Sequence, residues 1–156
     1  MTDKSENLVA KAQMMIRKPV SEVFESLIDP AVTSHFWFSK GAAPLEVGTK
    51  VRWDWEMYGV HTIADVKAVE RNRRILIEWN GPENPSLVEW TFEAKGDGQT
   101  FVTVRNWGFS GGVDEAINST EGFSHLLAAM KFYLEHGIEP NLVRDHAPDA
   151  RVTSKA

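Results

Sequence analysis

His61 and Glu89 are the two side chains of this sequence whose types could perform acid–base chemistry together. An imidazole titrates near neutrality, so an inward-facing His61 would serve as general acid or base beside a carboxylate. Arg105 is the matching polar anchor: turned inward, it would orient a polar ligand head or form a buried ion pair with Glu89. All three sit in strand-like segments, "VHTIADV", "SLVEWTF" and "FVTVRNW". A polar residue alternating with apolar ones ordinarily lies on the solvated face of a sheet, so their use depends on which face each strand presents.

Other chemistries lack their residues. The five histidines, His35, His61, His125, His136 and His146, show no HExxH or comparable ligand spacing. His125 and His136 stand about three helical turns apart, too far for one ion. No metal and no cofactor is expected. The absence of cysteine removes disulfides, thiolate nucleophiles and Cys-ligated zinc. Ser110 in "GFSGG" follows a strand and precedes a loop, which is not a nucleophile elbow, and GxSxG is absent. Gly111-Gly112 has no Lys-Ser/Thr behind it and reads as a hinge rather than a phosphate loop.

Tryptophan is the more telling residue. In "VRWDWEMYG" (51–59), Val51, Trp53, Trp55 and Met57 share one parity while Arg52, Asp54 and Glu56 share the other. Such a strand has one apolar and one ionic face. Trp53 and Trp55 either fill a core or, with Trp79, Trp90 and Trp107, line a hollow. Each indole N–H wants a partner, so five tryptophans on four strands sit more comfortably around a partly open space. "HFWF" (35–38) either docks short helices onto the sheet or forms the mouth of that space, with Trp37 serving as both.

The elements that must position these residues follow from periodicity. "NLVAKAQMMIR" (7–17) alternates as a first strand. "VSEVFESLI" places Val20, Val23, Phe24 and Leu27 at helical spacing with Ser21 as cap, and Asp29-Pro30 starts a second short helix. Five strands are predicted over 49–57, 60–70, 74–80, 86–94 and 99–107, joined by short turns as an antiparallel meander. A bulge within 60–70 would invert that strand's reading. "EGFSHLLAAMKFYLEHG" then aligns Phe123, Leu126, Leu127, Met130, Tyr133, Leu134 and Ile138 on one helix face, ending at Gly137. His125, Phe132 and His136 fall on the opposite face, which is covered by the tail or forms a homodimer interface. The tail beyond Asp145 is expected to fray.

One amphipathic helix cannot cover a six-stranded sheet laid flat, so the sheet must curl around it. The expected fold is α+β: a curved six-stranded antiparallel sheet wrapped around a long C-terminal helix, with two short helices after the first strand. The 156 residues make one domain, 1–156, ordered over about 7–145. The start "MTDKSENLVA" lacks a signal-peptide pattern and no segment has a membrane span's apolar length, which predicts a cytoplasmic chain. A net charge of −5 argues against nucleic acid and anionic membrane as partners.

With "KPVSEVFESLIDP", "FWFSKGAAPLEVGTKVRWDW", "VERNRRILIEW" and "EGFSHLLAAMKFYLEHG" in this order, the chain resembles the SRPBCC (START-like, Bet v-like) helix-grip superfamily from about residue 12 to 138. Within it, the chain is similar to the group named for the activator of heat-shock-protein ATPase homologue, C-terminal domain. The resemblance implies an internal hollow and a small apolar ligand. Trp53, Trp55, Met57, Trp79, Trp90 and Trp107 are the expected walls, Met130 the contact from the helix, and Trp37 the mouth. His61 and Arg105 are the expected orienting groups. Binding is preferred over catalysis; the alternatives are a cyclase-, aromatase- or hydrolase-like enzyme using His61 with Glu89, and a chaperone-interacting or stress-response protein using the His125/Phe132/His136 face.

Overall fold

The computed structural model describes residues 8–152. Asn7 of the expected first strand, the amino-terminal stretch read for a signal peptide up to Asn7, and both ends of the expected domain 1–156 lie outside the described residues.

Side-chain alternation builds the sheet. The strands are β1 (Val9–Ile16), β2 (Lys40–Gly41), β3 (Lys50–Trp55), β4 (Val60–Glu70), β5 (Arg74–Trp79), β6 (Ser86–Ala94) and β7 (Thr100–Trp107). They pair in the order β1-β7-β6-β5-β4-β3-β2, antiparallel throughout. The count is seven rather than the predicted six. β2 is too short to carry a period; it pairs Lys40 with Asp54 and Gly41 with Trp53 at the sheet edge. Glycine is required at 41 because a Cβ there would lie 2.8 Å from both Phe38 and Pro30.

Ala10, Ala12, Ile16, Val51, Trp53, Ile75, Ile77, Val88, Trp90, Phe92, Val102 and Val104 are buried on the concave face. A bulge does fall within β4: the strand shifts register against β5 between Val66 and Ala68, which moves the inward parity from Ala64 and Val66 to Val69. The extra residue also adds to the twist that curls the sheet.

Two short helices close one side. α1 (Val20–Ile28) buries Val23, Phe24, Ser26 and Leu27. Its cap is Pro19 rather than Ser21: the Pro19 carbonyl accepts from the N–H groups of Glu22 and Val23, and Ser21 lies exposed inside the first turn. α2 (Pro30–Thr33) starts as predicted, with the Asp29 carboxylate accepting from the Ala31 N–H at 2.9 Å and Pro30 in the first position.

α3 (Val113–His136) is the helix that the sheet grips. It begins about two turns before the predicted segment. The early turns carry no apolar helical stripe, because Val113 and Ile117 are exposed and only Ala116 packs inward, against Ala10 and Phe109. Phe123, Leu126, Leu127 and Met130 are buried as predicted, and Gly137 (φ 69°) ends the helix. Ile138 does not share that face; it follows the left-handed residue and is half-exposed. The segment after it keeps contacts with the body of the fold beyond Asp145, where fraying was expected. It forms α4 (Leu142–Asp145), and Val152 still donates its N–H to the Met57 carbonyl at 2.9 Å.

Candidate functional site

Trp53 and Trp55 both point into the grip, yet they do different things. Between Trp53 and α3 lies the "HFWF" segment that follows α2. Its Trp37 ring sits 5.1 Å from Trp53, 5.4 Å from Trp55, 5.7 Å from Trp90, 6.0 Å from Trp79 and 6.2 Å from Phe123, mostly edge-to-face. Phe38 stacks on Trp53 at 5.2 Å. The space in front of Trp53 is therefore filled. Trp53, Trp90 and Met130 are almost wholly buried and pack the core instead of walling an open space. Trp37 is the hub of the aromatic cluster, with 7% of its surface exposed, rather than a residue at the mouth.

Beyond Trp37 the filling stops. An open hollow of about 350 Å³ remains between β5, β6, β7, the first half of α3 and the C-terminal segment. Trp37 forms its floor; half-buried Trp55 and Trp79 and buried Phe123 form its walls. Trp79 and Phe123 stack at 5.8 Å. Polar groups from four elements meet on one side. Trp79 Nε1 donates to Ser86 Oγ at 3.2 Å, and Asn106 Nδ2 donates to Ser86 Oγ at 3.0 Å and to the Leu87 carbonyl at 2.8 Å. Ser119 Oγ, on α3, donates to Asn106 Oδ1 at 2.7 Å.

Glu115 holds the rim on the "GFSGG" side, accepting from Asn84 Nδ2 at 2.8 Å and from the Gly111 N–H at 2.7 Å. On the other side the C-terminal segment is strapped down. The Tyr58 hydroxyl lies 2.6 Å from the Val143 carbonyl and 2.9 Å from that of Arg144. His146 lies at the rim with its ring 5.1 Å from His125, whose Nδ1 is buried with no partner among the described residues.

The residues expected to orient a ligand do not reach this hollow. His61 is exposed on the convex face, opposite Asp54, because β3 and β4 keep regular register there. The Asp54 carboxyl is held below the usual carboxylate range, chiefly by its hydrogen bonds from Arg52. Arg105 and Trp107 take the outward parity of β7, opposite Lys11 and Glu89 and opposite Val9 and Leu87 respectively. Glu89 also faces outward and binds Arg74 at 2.6 Å. It faces Leu76, which faces Ala68, seven residues along β4 from His61. That separation is roughly 20 Å at strand rise, so His61 and Glu89 cannot act on one substrate.

Met57 leaves the tryptophan face as well. The strand ends at Trp55, and a 3₁₀ turn over Glu56–Tyr58 turns Met57 toward a separate cleft of about 190 Å³ beside Phe36 and Leu142. The face of α3 expected to lie away from the sheet is divided: His125 lies under His146, while Phe132 remains 45% exposed beside His136. Among the described residues there is no cluster of three metal-binding side chains, and no helix is long and apolar enough to cross a membrane.

Tyr58, Ser86, Asn106, Glu115 and Ser119 were not singled out by sequence. Asn106 carried a signal, since it shares parity with Thr100, Val102 and Val104 and so had to be a buried amide with partners.

The family model described as "Activator of Hsp90 ATPase homolog 1-like protein" matches residues 17–135. A protein from Staphylococcus saprophyticus is 28% identical, with a TM-score of 0.72, covering 85% of this chain and 95% of its own. DynU16, a protein in the dynemicin biosynthetic locus, is 24% identical at a TM-score of 0.77; the match covers 84% of this chain and 48% of that one, so this chain spans about half its length. A START superfamily protein from Mycobacterium smegmatis is 13% identical at a TM-score of 0.68, covering 84% and 99%. No curated protein matches the sequence.

Proposed function

The chain belongs to the Activator of Hsp90 ATPase homolog 1-like family, with the START-like grip, and from that premise we propose that it binds a small, mostly apolar aromatic molecule in the open hollow. The observation that carries this reading is the contrast among the tryptophans. Trp53 and Trp90 are sealed by packing, whereas Trp55 and Trp79 stay partly exposed around about 350 Å³ of space. Apolar surface left wet forgoes about 25 cal/mol per Å², which a bound ligand would recover. The volume lies at the small end of ligand sites, suited to one or two fused rings. Walls of indole and phenyl with a few convergent polar groups are the usual composition of such sites.

Gly122 supplies the test. It lies in α3, lines the hollow, and a Cβ built on it meets nothing within 4 Å. Gly122→Leu projects a side chain into the space and improves helix propensity by roughly 0.8 kcal/mol. Saturable binding of N-phenyl-1-naphthylamine, read by its fluorescence, is expected for the unaltered protein and is lost in Gly122→Leu while Tm is held or raised. Equal probe binding by both proteins would place the probe elsewhere and remove the reading.

The acid–base enzyme alternative has lost its residues, because His61 and Glu89 stand on the convex face far apart. No second reading is favoured by a specific observation.

A further inference from the structure

The hydrogen bonds on the polar side of the hollow leave one proton unassigned. A serine hydroxyl has one proton and two lone pairs. Ser86 Oγ receives Trp79 Nε1 at 3.2 Å and Asn106 Nδ2 at 3.0 Å. Both are N–H groups that can only donate, so both lone pairs are taken and the hydroxyl can act further only as a donor. The Asn106 amide cannot be turned round to relieve this, because its Nδ2 also donates to the Leu87 carbonyl and its Oδ1 receives Ser119 Oγ at 2.7 Å. No acceptor among the described residues takes the Ser86 proton, although Ser86 is only 4% exposed and lines the hollow.

Ser119 is the complement. Its proton is spent on Asn106 Oδ1, which leaves its lone pairs free on the same side of the hollow. One buried asparagine thus polarises the two serines in opposite senses, Ser86 as donor and Ser119 as acceptor. Trp79, which fixes Ser86 through its indole N–H, is itself a wall. A ligand ring lying against Trp79 therefore brings its edge to this pair. Among the described residues no lysine or arginine lines the hollow; its titratable groups besides Tyr58 are Glu115, His125 and His146, so a carboxylate ligand meets the Glu115 carboxylate at the rim and no permanently charged counter-ion.

We propose that the hollow selects a hydroxylated aromatic, an uncharged phenol-type molecule whose oxygen accepts from Ser86 and whose O–H donates to Ser119. This presupposes the ligand-accessible hollow proposed above and names what it discriminates. A site built to hydrogen-bond a hydroxyl disfavours an analogue without it, since its own polar groups are then left unpaired.

The experiment compares 2-naphthol, 2-methoxynaphthalene, 2-methylnaphthalene and 2-naphthoate by displacement of N-phenyl-1-naphthylamine from the full chain. Affinity is expected to fall in that order, 2-naphthol exceeding 2-methylnaphthalene by about ten-fold. Ser86→Thr, which keeps the hydroxyl, should preserve the order; Ser86→Ala should bring 2-methoxynaphthalene to the level of 2-methylnaphthalene. The four-ligand comparison on the unaltered protein decides the matter even if Ser86→Ala, which strands two buried donors, fails to fold. Equal affinity for naphthol and methylnaphthalene, or tighter binding of naphthoate, overturns the hydroxyl selection while leaving the hollow as a binding site. Absence of binding by all four and by the probe overturns the site itself.

Discussion

Glu135 shows how one side chain ties α3 to β1. It is largely buried, and its Oε2 accepts from Lys131 Nζ and from the Arg17 N–H, both at 2.7 Å. Burial alone would raise its pKa, but the hydrogen bonds from Lys131 and Arg17, with the Lys131 charge, outweigh that, and the carboxyl titrates below the usual glutamate range. A depressed folded-state pKa stabilises the protein above the unfolded value, and that contribution is lost as pH falls through the folded value. Glu135→Gln should therefore cost about 1–2 kcal/mol at neutral pH. In urea melts the gap to the unaltered protein should close below the usual glutamate range, as the native carboxyl also becomes neutral. A gap that stays constant into acid would mean the contribution is packing, not charge. The convex pairs, Arg52–Asp54 at 3.0 Å and Lys67–Asp65 at 3.1 Å, are solvent-screened and should weigh little by comparison.

The elements divide by how they announce themselves in sequence. Where a period runs six residues or more, as in β1 and β3 through β7, alternation identified the strand. It also gave the inward face of β1, β3, β5 and β6, whereas His61 on β4 and Arg105 and Trp107 on β7 were expected inward and lie on the convex face. Asp29-Pro30 and Gly137 marked helix ends because cap chemistry is local. The features that sequence does not carry depend on chain segments that meet from afar. β2 is visible only through its pairing with β3, and Met57 changes face only because a 3₁₀ turn replaces the strand's last step. Which tryptophans are sealed was illegible too, since Trp37 enters from a loop outside any alternation. The donor–acceptor row of Ser86, Asn106 and Ser119 requires β6, β7 and α3 to be placed first. The C-terminal strap belongs to the same class: it reads as a fraying tail, yet Tyr58 anchors it through two carbonyls. Tyr58→Phe should cost about 1 kcal/mol. Amide hydrogen exchange should quicken over residues 142–152 while β6 and β7 stay protected. Unchanged exchange in the strap would show that Val143 and Leu142 packing holds it without the hydroxyl.

At the scale of the whole molecule, the grip is one concavity partitioned by a single indole. On one side of Trp37 lie Trp53, Trp90 and Phe38, dry and closely packed; on the other lies the hollow walled by Trp55, Trp79 and Phe123. The partition stabilises the fold because Trp37 brings apolar surface to the part of the sheet that α3 does not reach. It also limits the ligand, because it fixes how deep the hollow runs. Truncation should expose both roles at once. Trp37→Ala removes the hub of the cluster and should destabilise by about 3–5 kcal/mol, a large share of the roughly 5–15 kcal/mol of a domain. At about 2–4 °C per kcal/mol that is a fall in Tm of about 10 °C. Trp79→Ala, at a partly exposed position beside existing space, should cost clearly less, although it frees Ser86 from one of its two donors. The variants should also differ in binding: Trp37→Ala deepens the hollow and should admit larger apolar probes, whereas Trp79→Ala removes a wall and should weaken all of them. Equal losses of stability in thermal melts would mean that Trp37 and Trp79 belong to one continuous core, and that the division between filled and open halves of the grip is not a real one.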